Sequence, residues 1–165
     1  LGQMMIASRH GDFPVKKGDK IAGTRIIPLV IEKEMMERAR QMGGSAPIFE
    51  IRPYRLHTAG VIATGNEVYK NRIADTFTPV IEEKLAEYGV QMAEHVLCGD
   101  DPEQIGEAIR RMLAAGMDMI ICTGGMSVDP DDRTPLAIKN TGAEVITYGA
   151  PVLPGAMFML SLIHI

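Results

Sequence analysis

From Thr58 onward, short apolar runs alternate with longer amphipathic segments, and this alternation restricts the fold more than any other feature of the sequence. Strands that alternate with helices of about 10–15 residues are typical of βαβ units, whose strands run parallel. The sequence therefore predicts an α/β fold in three layers, with a mainly parallel sheet and helices on both faces. The predicted strands span residues 59–63, 90–97, 117–122 and 143–148, and the predicted helices span residues 76–88, 102–115 and 135–140.

Local signals indicate how these elements pack and where they begin. The run 59–63 is continuously apolar, which is typical of a strand buried on both faces, whereas 90–97 is less apolar and is expected nearer an edge. Asp101 is predicted to cap the second helix with Pro102 at its first position, since Asp accepts a hydrogen bond there and Pro lacks the unpaired N–H. The first helix is expected to bury a face formed by Phe77, Val80, Ile81, Leu85 and Tyr88.

The two ends of the chain differ from this pattern. Residues 1–50 combine a turn signal at 17–19 with a charged helical segment, and they are predicted to form a partial β-rich module with a linker helix. Residues 51–165 are predicted to form the α/β domain, truncated at its C-terminus. The apolar tail 157–165 is expected to be a helix interrupted partway, and its last four or five residues are expected not to be native sequence.

Composition excludes several classes of protein. Hydrophobic residues make up 46% of the 165 positions and charged residues 23%, which is a globular composition. The net charge of −4 argues against nucleic-acid binding, because no basic stripe is available to displace counterions. Cys98 and Cys122 lack metal-ligand spacing and fit a reducing, cytoplasmic location. No run approaches the roughly 20 apolar residues that cross a bilayer, and no signal peptide is visible.

Three polar, glycine-rich loops follow the first three predicted strands. Ligands of open α/β sheets bind at the carboxyl ends of the strands, so these loops are expected to meet at one edge. Gly124 and Gly125 lack a Cβ and let the backbone approach a ligand closely, and a helix that begins just beyond them would direct N–H groups at a phosphate. The loops comprise Thr64-Gly65-Asn66-Glu67 running on to Asp75, then Gly99-Asp100-Asp101, and then the stretch from Thr123 to Pro135.

The acidic residues of the third loop favour a bound cation. Asp129, Asp131 and Asp132 would repel a bare phosphate, whereas Mg²⁺ sites combine one or two carboxylates with substrate phosphates. We interpret the loops as a Mg²⁺-dependent site for a phosphate-bearing ligand. From these residues alone a structural alternative stays open, since Asp129 and Thr134 each precede a proline and are good helix caps, while Asp131 and Asp132 could be solvated charges.

The segment 124–135, Gly-Gly-Met-Ser-Val-Asp-Pro-Asp-Asp-Arg-Thr-Pro, resembles the glycine-glycine loop of the molybdopterin-binding domain family, which serves molybdenum-cofactor biosynthesis. The other two loops resemble the same family, as does Pro-x-x-Pro-Gly at 151–155, and the likeness covers about residues 59–155. The ligand-binding residues implied by the resemblance are Thr64, Gly65, Asn66, Glu67, Asp75, Thr123, Gly124, Gly125, Ser127, Thr134, Pro154 and Gly155.

The resemblance also implies a chemistry. Asp100 and Asp132 would be the catalytic residues and the Mg²⁺ ligands, while the glycines would admit the phosphate and dithiolene arm of the pterin. The reaction would be adenylyl transfer to molybdopterin, with ATP, or insertion of molybdate. Such reactions rely on positioning and charge neutralisation, which suits metal-binding carboxylates. The family likeness further implies a homo-oligomer, either a dimer or a trimer.

Two departures from the family pattern keep other functions open. Met126 stands where a threonine is usual, and Ala156 stands where many members place a lysine, which removes a charge-assisted contact to an anion. Whether the chain is an enzyme is therefore left open. The first alternative is a non-catalytic molybdopterin carrier or sensor. The second is a nucleotide pyrophosphatase-like relative of the competence/damage-inducible family, which would hydrolyse ADP-ribose.

Overall fold

The structure is a computed structural model that describes residues 3–65, 75–126, 133–151 and 157–163. The chain divides into two compact units, Leu1–Arg52 and Pro53–Ile165. Among the described residues, no helix has the length and apolar character that crossing a membrane requires.

The first unit contains an antiparallel strand pair and a helix. Strand β1 (Met4–Ser8) pairs with β2 (Ala22–Ile26), and helix α1 spans Lys33–Gly43. The predicted turn at 17–19 is confirmed, because the Asp19 N–H donates to the Lys16 carbonyl at 3.0 Å and the Lys16 N–H donates to Asp19 Oδ2 at 2.8 Å. Strand β1 was not predicted individually, although it lies in the region 1–50 that was expected to be β-rich.

The second unit is built on a parallel sheet with the order β4-β3-β5. Strand β3 (Thr58–Thr64) lies in the centre, and β4 (Gln91–Cys98) and β5 (Met119–Thr123) flank it. All of β3 from Ala59 to Thr64 is buried, whereas exposed and half-buried positions alternate along much of β4. The predicted central and edge characters of these strands are thus confirmed.

Helices cover both faces of this sheet, which confirms the predicted three-layer α/β fold. Ile62 points to a core that includes residues of α3 (Pro102–Ala114) and Ala137 of α4 (Thr134–Asn140). Its neighbour Val61 points to the opposite core, where it joins Leu85 of α2 (Phe77–Glu87). Because successive side chains of a strand alternate between faces, one continuous apolar run supplies both cores.

The start of α3 follows the predicted cap. The Glu103 N–H donates to Asp101 Oδ1 at 3.0 Å, and Pro102 occupies the first turn. Asp101 thereby pairs one of the N–H groups that a helix start leaves without a partner.

The predicted buried face of α2 is partly wrong. Thr78 and Leu85 are buried and Ile81 packs against the core. Thr78, Ile81 and Leu85 lie three and four positions apart, so they share one face of the helix. The predicted face was therefore rotated too far around the axis, and three of its members are exposed instead: Phe77, Val80 and Tyr88.

The apolar tail is a strand, so the predicted helix at 157–165 is wrong. Strand β6 (Glu144–Gly149) pairs in an antiparallel manner with β7 (Phe158–Leu162). Exposed and half-buried residues alternate along β7, which is the period of a strand. An apolar run this short does not distinguish the two structures by composition, and its partner strand decides the outcome.

Candidate functional site

The carboxyl ends of the three parallel strands meet at one edge of the sheet. The loop after β3 contacts β4 directly, because the Gly65 N–H donates to the Cys98 carbonyl at 3.2 Å. Asp100 follows β4 at this edge and is half-buried, and Thr123 ends β5 beside Ala63. The structure therefore brings the starts of the three predicted loops to one edge, whereas Asp75 contacts α2 and His95.

Gly124 and Gly125 form a turn that only glycines can adopt here. Their φ angles are +87° and +54°, in the region that L side chains rarely occupy. A Cβ on Gly124 would lie 2.2 Å from the Thr64 carbonyl oxygen, and one on Gly125 would lie 2.7 Å from Thr134 Oγ1. Close packing and backbone conformation thus both require glycine, while Gly124 itself stays exposed at the sheet edge.

Two buried threonine hydroxyls stabilise this turn from the side on which the glycines lack a Cβ. Thr64 and Thr134 are 6% and 1% exposed. Thr64 Oγ1 donates to the Thr123 carbonyl at 3.0 Å, and Thr134 Oγ1 donates to the Gly124 carbonyl at 3.0 Å. The two hydroxyl oxygens lie 3.2 Å apart, and the Thr134 N–H also donates to the Gly125 carbonyl at 3.3 Å. These bonds join the end of β3, the turn and the start of α4.

Asp75 accepts hydrogen bonds from the first residues of α2 through both of its carboxylate oxygens. Its Oδ1 accepts the N–H groups of Phe77 and Thr78 at 3.0 and 3.1 Å. Its Oδ2 accepts the Thr78 hydroxyl and lies 3.3 Å from His95 Nε2 of β4. Desolvation raises the pKa of Asp75, but the Thr78 and Phe77 hydrogen bonds and the nearby His95 outweigh it, so the pKa is below its ordinary value of 3.8.

Thr78 and His95 were not predicted as partners of Asp75. His95 Nε2 also lies 2.9 Å from Thr78 Oγ1, so the three side chains form one network between α2 and β4. Asp75 and His95 belong to different elements, and no spacing rule links them. A local signal for Thr78 did exist, because it lies three positions after a capping aspartate.

The cysteine thiols are unreactive core groups. Burial raises the pKa of Cys122 to about 12, with a further contribution from nearby Cys98. Burial also raises the pKa of Cys98, which Arg111 partly offsets. Both cysteines are free thiols that pack with the Ile62 core. Since the thiolate is the reactive form, neither is suited to nucleophilic chemistry near neutral pH.

Part of the predicted site falls outside the described residues. Within residues 3–65, 75–126, 133–151 and 157–163, no group of three or more His, Cys, Asp or Glu side chains could hold a metal ion. Asp100 belongs to the described part and Asp132 does not, so the predicted pair of Mg²⁺ ligands remains a prediction. The other predicted site residues outside the described part are Asn66, Glu67, Ser127, Pro154 and Gly155.

Sequence relatives carry the name "CinA-like protein". The protein of Mycobacterium sp. (strain JLS) is 38% identical over 89 residues, which is 53% of this chain and 21% of the relative. The Mycobacterium tuberculosis (strain H37Rv) protein is 40% identical over the same shares of the two chains. The chain thus spans about a fifth of the length of the curated relatives it matches.

Solved structures show the same fold. The protein CinA from Thermoplasma acidophilum matches with a TM-score of 0.50 and 31% identity, over 55% of this chain and 53% of that one. The molybdopterin biosynthesis enzyme MoaB from Thermus thermophilus matches with a TM-score of 0.51 and 25% identity, over 58% of each chain.

A protein family described as "Probable molybdopterin binding domain" matches residues 60–161, which include most of β3, all three loops and both flanking layers of helices. The matched region is more than half of the 165 residues. This chain therefore belongs to the molybdopterin-binding domain family.

Proposed function

We propose that the second unit binds molybdopterin at the carboxyl edge of the sheet, in the service of molybdenum-cofactor biosynthesis. The observation that carries the proposal is the Gly124-Gly125 turn. It presents exposed backbone at the end of β5, while Thr64 and Thr134 occupy the side of the turn where a Cβ would lie. A ligand with a phosphate group can approach such a backbone closely, so the turn fits the group that the family binds.

Asp100 and Asp132 would hold Mg²⁺ in the proposed site. A bound Mg²⁺ would supply neutralisation of phosphate charge, and ATP or molybdate would be the second reactant. The residues of the chain would position the substrate. The glycine turn would bind the phosphate arm, and Asp100, which follows β4, would orient the reacting group. Because such transfers depend mainly on positioning, adenylyl transfer and molybdate insertion both suit this arrangement.

A carrier function is the nearest alternative within this family. Met126 stands where a threonine is usual in the family, and Ala156 stands where many members place a lysine, so the chain lacks a polar and a cationic group at these positions. The same edge would then bind the pterin and present it to a partner without chemistry.

The names of the sequence relatives favour a second candidate function. CinA-like proteins are 38% and 40% identical to this chain over 89 residues. The corresponding function is a nucleotide pyrophosphatase-like activity of the competence/damage-inducible family, with ADP-ribose as substrate. The glycine turn and the acidic residues would bind a pyrophosphate as well as a pterin phosphate. The two proposals are therefore distinguished by measuring which ligand the protein binds.

Binding of molybdopterin, measured by fluorescence quenching with and without Mg²⁺, tests the proposal. We expect saturable binding that Mg²⁺ strengthens, and about tenfold or greater weakening in Asp100→Asn and Asp132→Asn, since each loses a charged contact worth roughly 1.5–3 kcal/mol. Glu107→Gln is the matched control, because it removes the same charge from an exposed position on α3.

The same preparations distinguish the alternatives. Mg²⁺-dependent turnover of ADP-ribose without pterin affinity would select the pyrophosphatase function. Pterin binding without turnover of ATP or molybdate would select the carrier. Failure to bind molybdopterin under any condition would reject both pterin functions.

Two further proposals concern the protein as a whole. We expect a cytoplasmic location, and we expect a dimer or trimer in solution. Light scattering coupled to size-exclusion chromatography measures the oligomer, and a monomer at every concentration would contradict this expectation.

A further inference from the structure

The hydroxyl groups of Thr64 and Thr134 make more contacts than they have protons. Three contacts join them to the turn and to each other: 3.0 Å to the Thr123 carbonyl, 3.0 Å to the Gly124 carbonyl and 3.2 Å between the two Oγ1 atoms. A threonine hydroxyl has one proton, so two protons serve three contacts. Because the two carbonyl oxygens can only accept, each hydroxyl donates its proton to one of them, and the 3.2 Å contact between the buried hydroxyls has no proton of its own.

The same two side chains also define the shape of the turn. Thr134 Oγ1 lies 2.7 Å from where a Gly125 Cβ would be, and Thr64 Oγ1 lies 2.9 Å from where a Gly124 Cβ would be. Each hydroxyl therefore packs in the space that a glycine leaves open, besides bonding to a carbonyl. A methyl group at the Thr134 Oγ1 position would contact the Gly124 oxygen at the 3.0 Å of the present hydrogen bond, which is closer than carbon and oxygen normally approach.

We propose that Thr64 and Thr134 are positioning residues that fix the left-handed Gly124-Gly125 turn, so that ligand affinity depends on their hydroxyls without a direct contact to the ligand. Thr134 is the more important of the two, because it bonds the Gly124 carbonyl with its hydroxyl and the Gly125 carbonyl with its N–H. Thr64 acts one residue earlier, on the Thr123 carbonyl. This inference deepens the proposed function and rests on it for the affinity readout.

The test compares Thr134→Val, which replaces the hydroxyl with a methyl group that can neither donate to the Gly124 carbonyl nor pack at its present 3.0 Å, with Thr134→Ser, which keeps the hydroxyl. Thr141→Val is the matched control, because its hydroxyl donates to the Ile138 carbonyl at the opposite end of the same helix. We expect molybdopterin affinity to fall about tenfold in Thr134→Val and to stay within about twofold in Thr134→Ser and Thr141→Val, as for the loss of one buried hydrogen bond. Unfolding curves of all three variants establish that each is folded under the binding conditions, so that a general loss of stability does not explain the difference.

A second measurement needs no ligand. Nuclear magnetic resonance of the unliganded protein should show shifted Gly124 and Gly125 amide signals in Thr134→Val, together with faster hydrogen exchange at the residue 134 amide, and neither change in Thr141→Val. Unchanged amide signals in Thr134→Val would overturn the inference, as would wild-type affinity in that variant.

The two measurements separate the inference from the proposed function. If the wild-type protein binds no molybdopterin, the proposed function fails, and the amide signals alone then decide whether the threonines fix the turn.

Discussion

Gly124 and Gly142 have nearly the same φ angle, +87° and +88°, but different surroundings. A Cβ on Gly142 would meet nothing within 4 Å, whereas one on Gly124 would lie 2.2 Å from the Thr64 carbonyl. We therefore expect Gly142→Ala to lower the free energy of unfolding by about 1 kcal/mol, from left-handed strain alone. Gly124→Ala should lower it by a further 1–3 kcal/mol or so, because backbone must shift to admit the methyl group.

Urea unfolding of the two glycine variants measures this difference, and equal losses of stability would show that the close approach at Gly124 does not exist in solution.

The conformation of the Gly124-Gly125 turn could be predicted only in part from the sequence. The sequence predicts that Gly124 and Gly125 form a turn, but it does not reveal that Thr64 and Thr134 pack behind them, because those residues come from other elements.

Asp118 gives a prediction about pH. Its Oδ2 accepts the His57 N–H at 2.8 Å, the Thr58 N–H at 3.0 Å and the Thr58 hydroxyl at 3.1 Å. These bonds, first that of His57, lower the pKa of Asp118 below its ordinary value of 3.8. Because the pKa of Asp118 is lower in the folded than in the unfolded protein, its ionised carboxylate stabilises the fold at pH values above the unfolded-state pKa. This stabilisation is lost as the pH falls through the folded-state pKa.

We therefore expect the wild-type protein to lose stability between about pH 4 and pH 2 more steeply than Asp118→Asn does. Thermal unfolding across this range measures both slopes, and parallel curves would contradict the assigned role. Asp118 lies immediately before β5, at the end of the sheet opposite the glycine turn, so molybdopterin binding at neutral pH should be the same in both proteins.

At the scale of elements, the Asp75–Thr78–His95 network fixes how α2 sits on the sheet. Thr78 is buried, and its hydroxyl contacts both Asp75 Oδ2 and His95 Nε2. We expect Thr78→Val to lower the free energy of unfolding by about 1–2 kcal/mol, because it leaves polar groups partly buried without this partner. Thr78→Ser keeps the hydroxyl and should retain most of the stability. Chemical unfolding of both variants checks this, and equal losses would assign the effect to the threonine methyl group.

This network also explains why the sequence predicts the existence of α2 but not its orientation. Apolar periodicity placed Phe77, Val80 and Tyr88 inside, whereas Phe77 is 65% exposed. Contacts from Asp75 and β4 hold the face of Thr78 inward, and such tertiary contacts override a weak apolar pattern. By contrast, β3 and the Asp101 cap were predictable, because a continuous apolar run and a capping pair are local signals.

Strand β7 shows that tertiary contacts also decide the type of secondary structure, which the sequence predicted wrongly here. Residues 158–162 are apolar except for Ser161, and they carry no glycine that would separate a strand from a helix. Their pairing with β6 decides the structure, and it joins Tyr148 to Met159 and Gly149 to Phe158. The sheet itself was predicted because its strands are separated by recognisable helices, whereas this pair depends on contacts that no local pattern encodes.

At the scale of the whole molecule, the segment between α1 and β3 contains no helix or strand in the structure. Phe49 in this segment is 45% exposed, and Phe77 in α2 is more exposed at 65%. If exposure alone governed proteolysis, chymotrypsin would cut after Phe77 first. Cleavage also requires the chain to open locally, and the Phe77 N–H is held by Asp75 at 3.0 Å.

We therefore expect limited chymotrypsin digestion to cut after Phe49 or Tyr54 before it cuts after Phe77, leaving a fragment that retains the complete parallel sheet. Mass spectrometry of the early products identifies the sites, and Phe49→Ser should shift the first cut to Tyr54. An early cut after Phe77 would show that the start of α2 opens more readily than its hydrogen bonds imply. Because the described loops of the proposed site follow β3, β4 and β5, the fragment should bind molybdopterin with the affinity of the uncut chain.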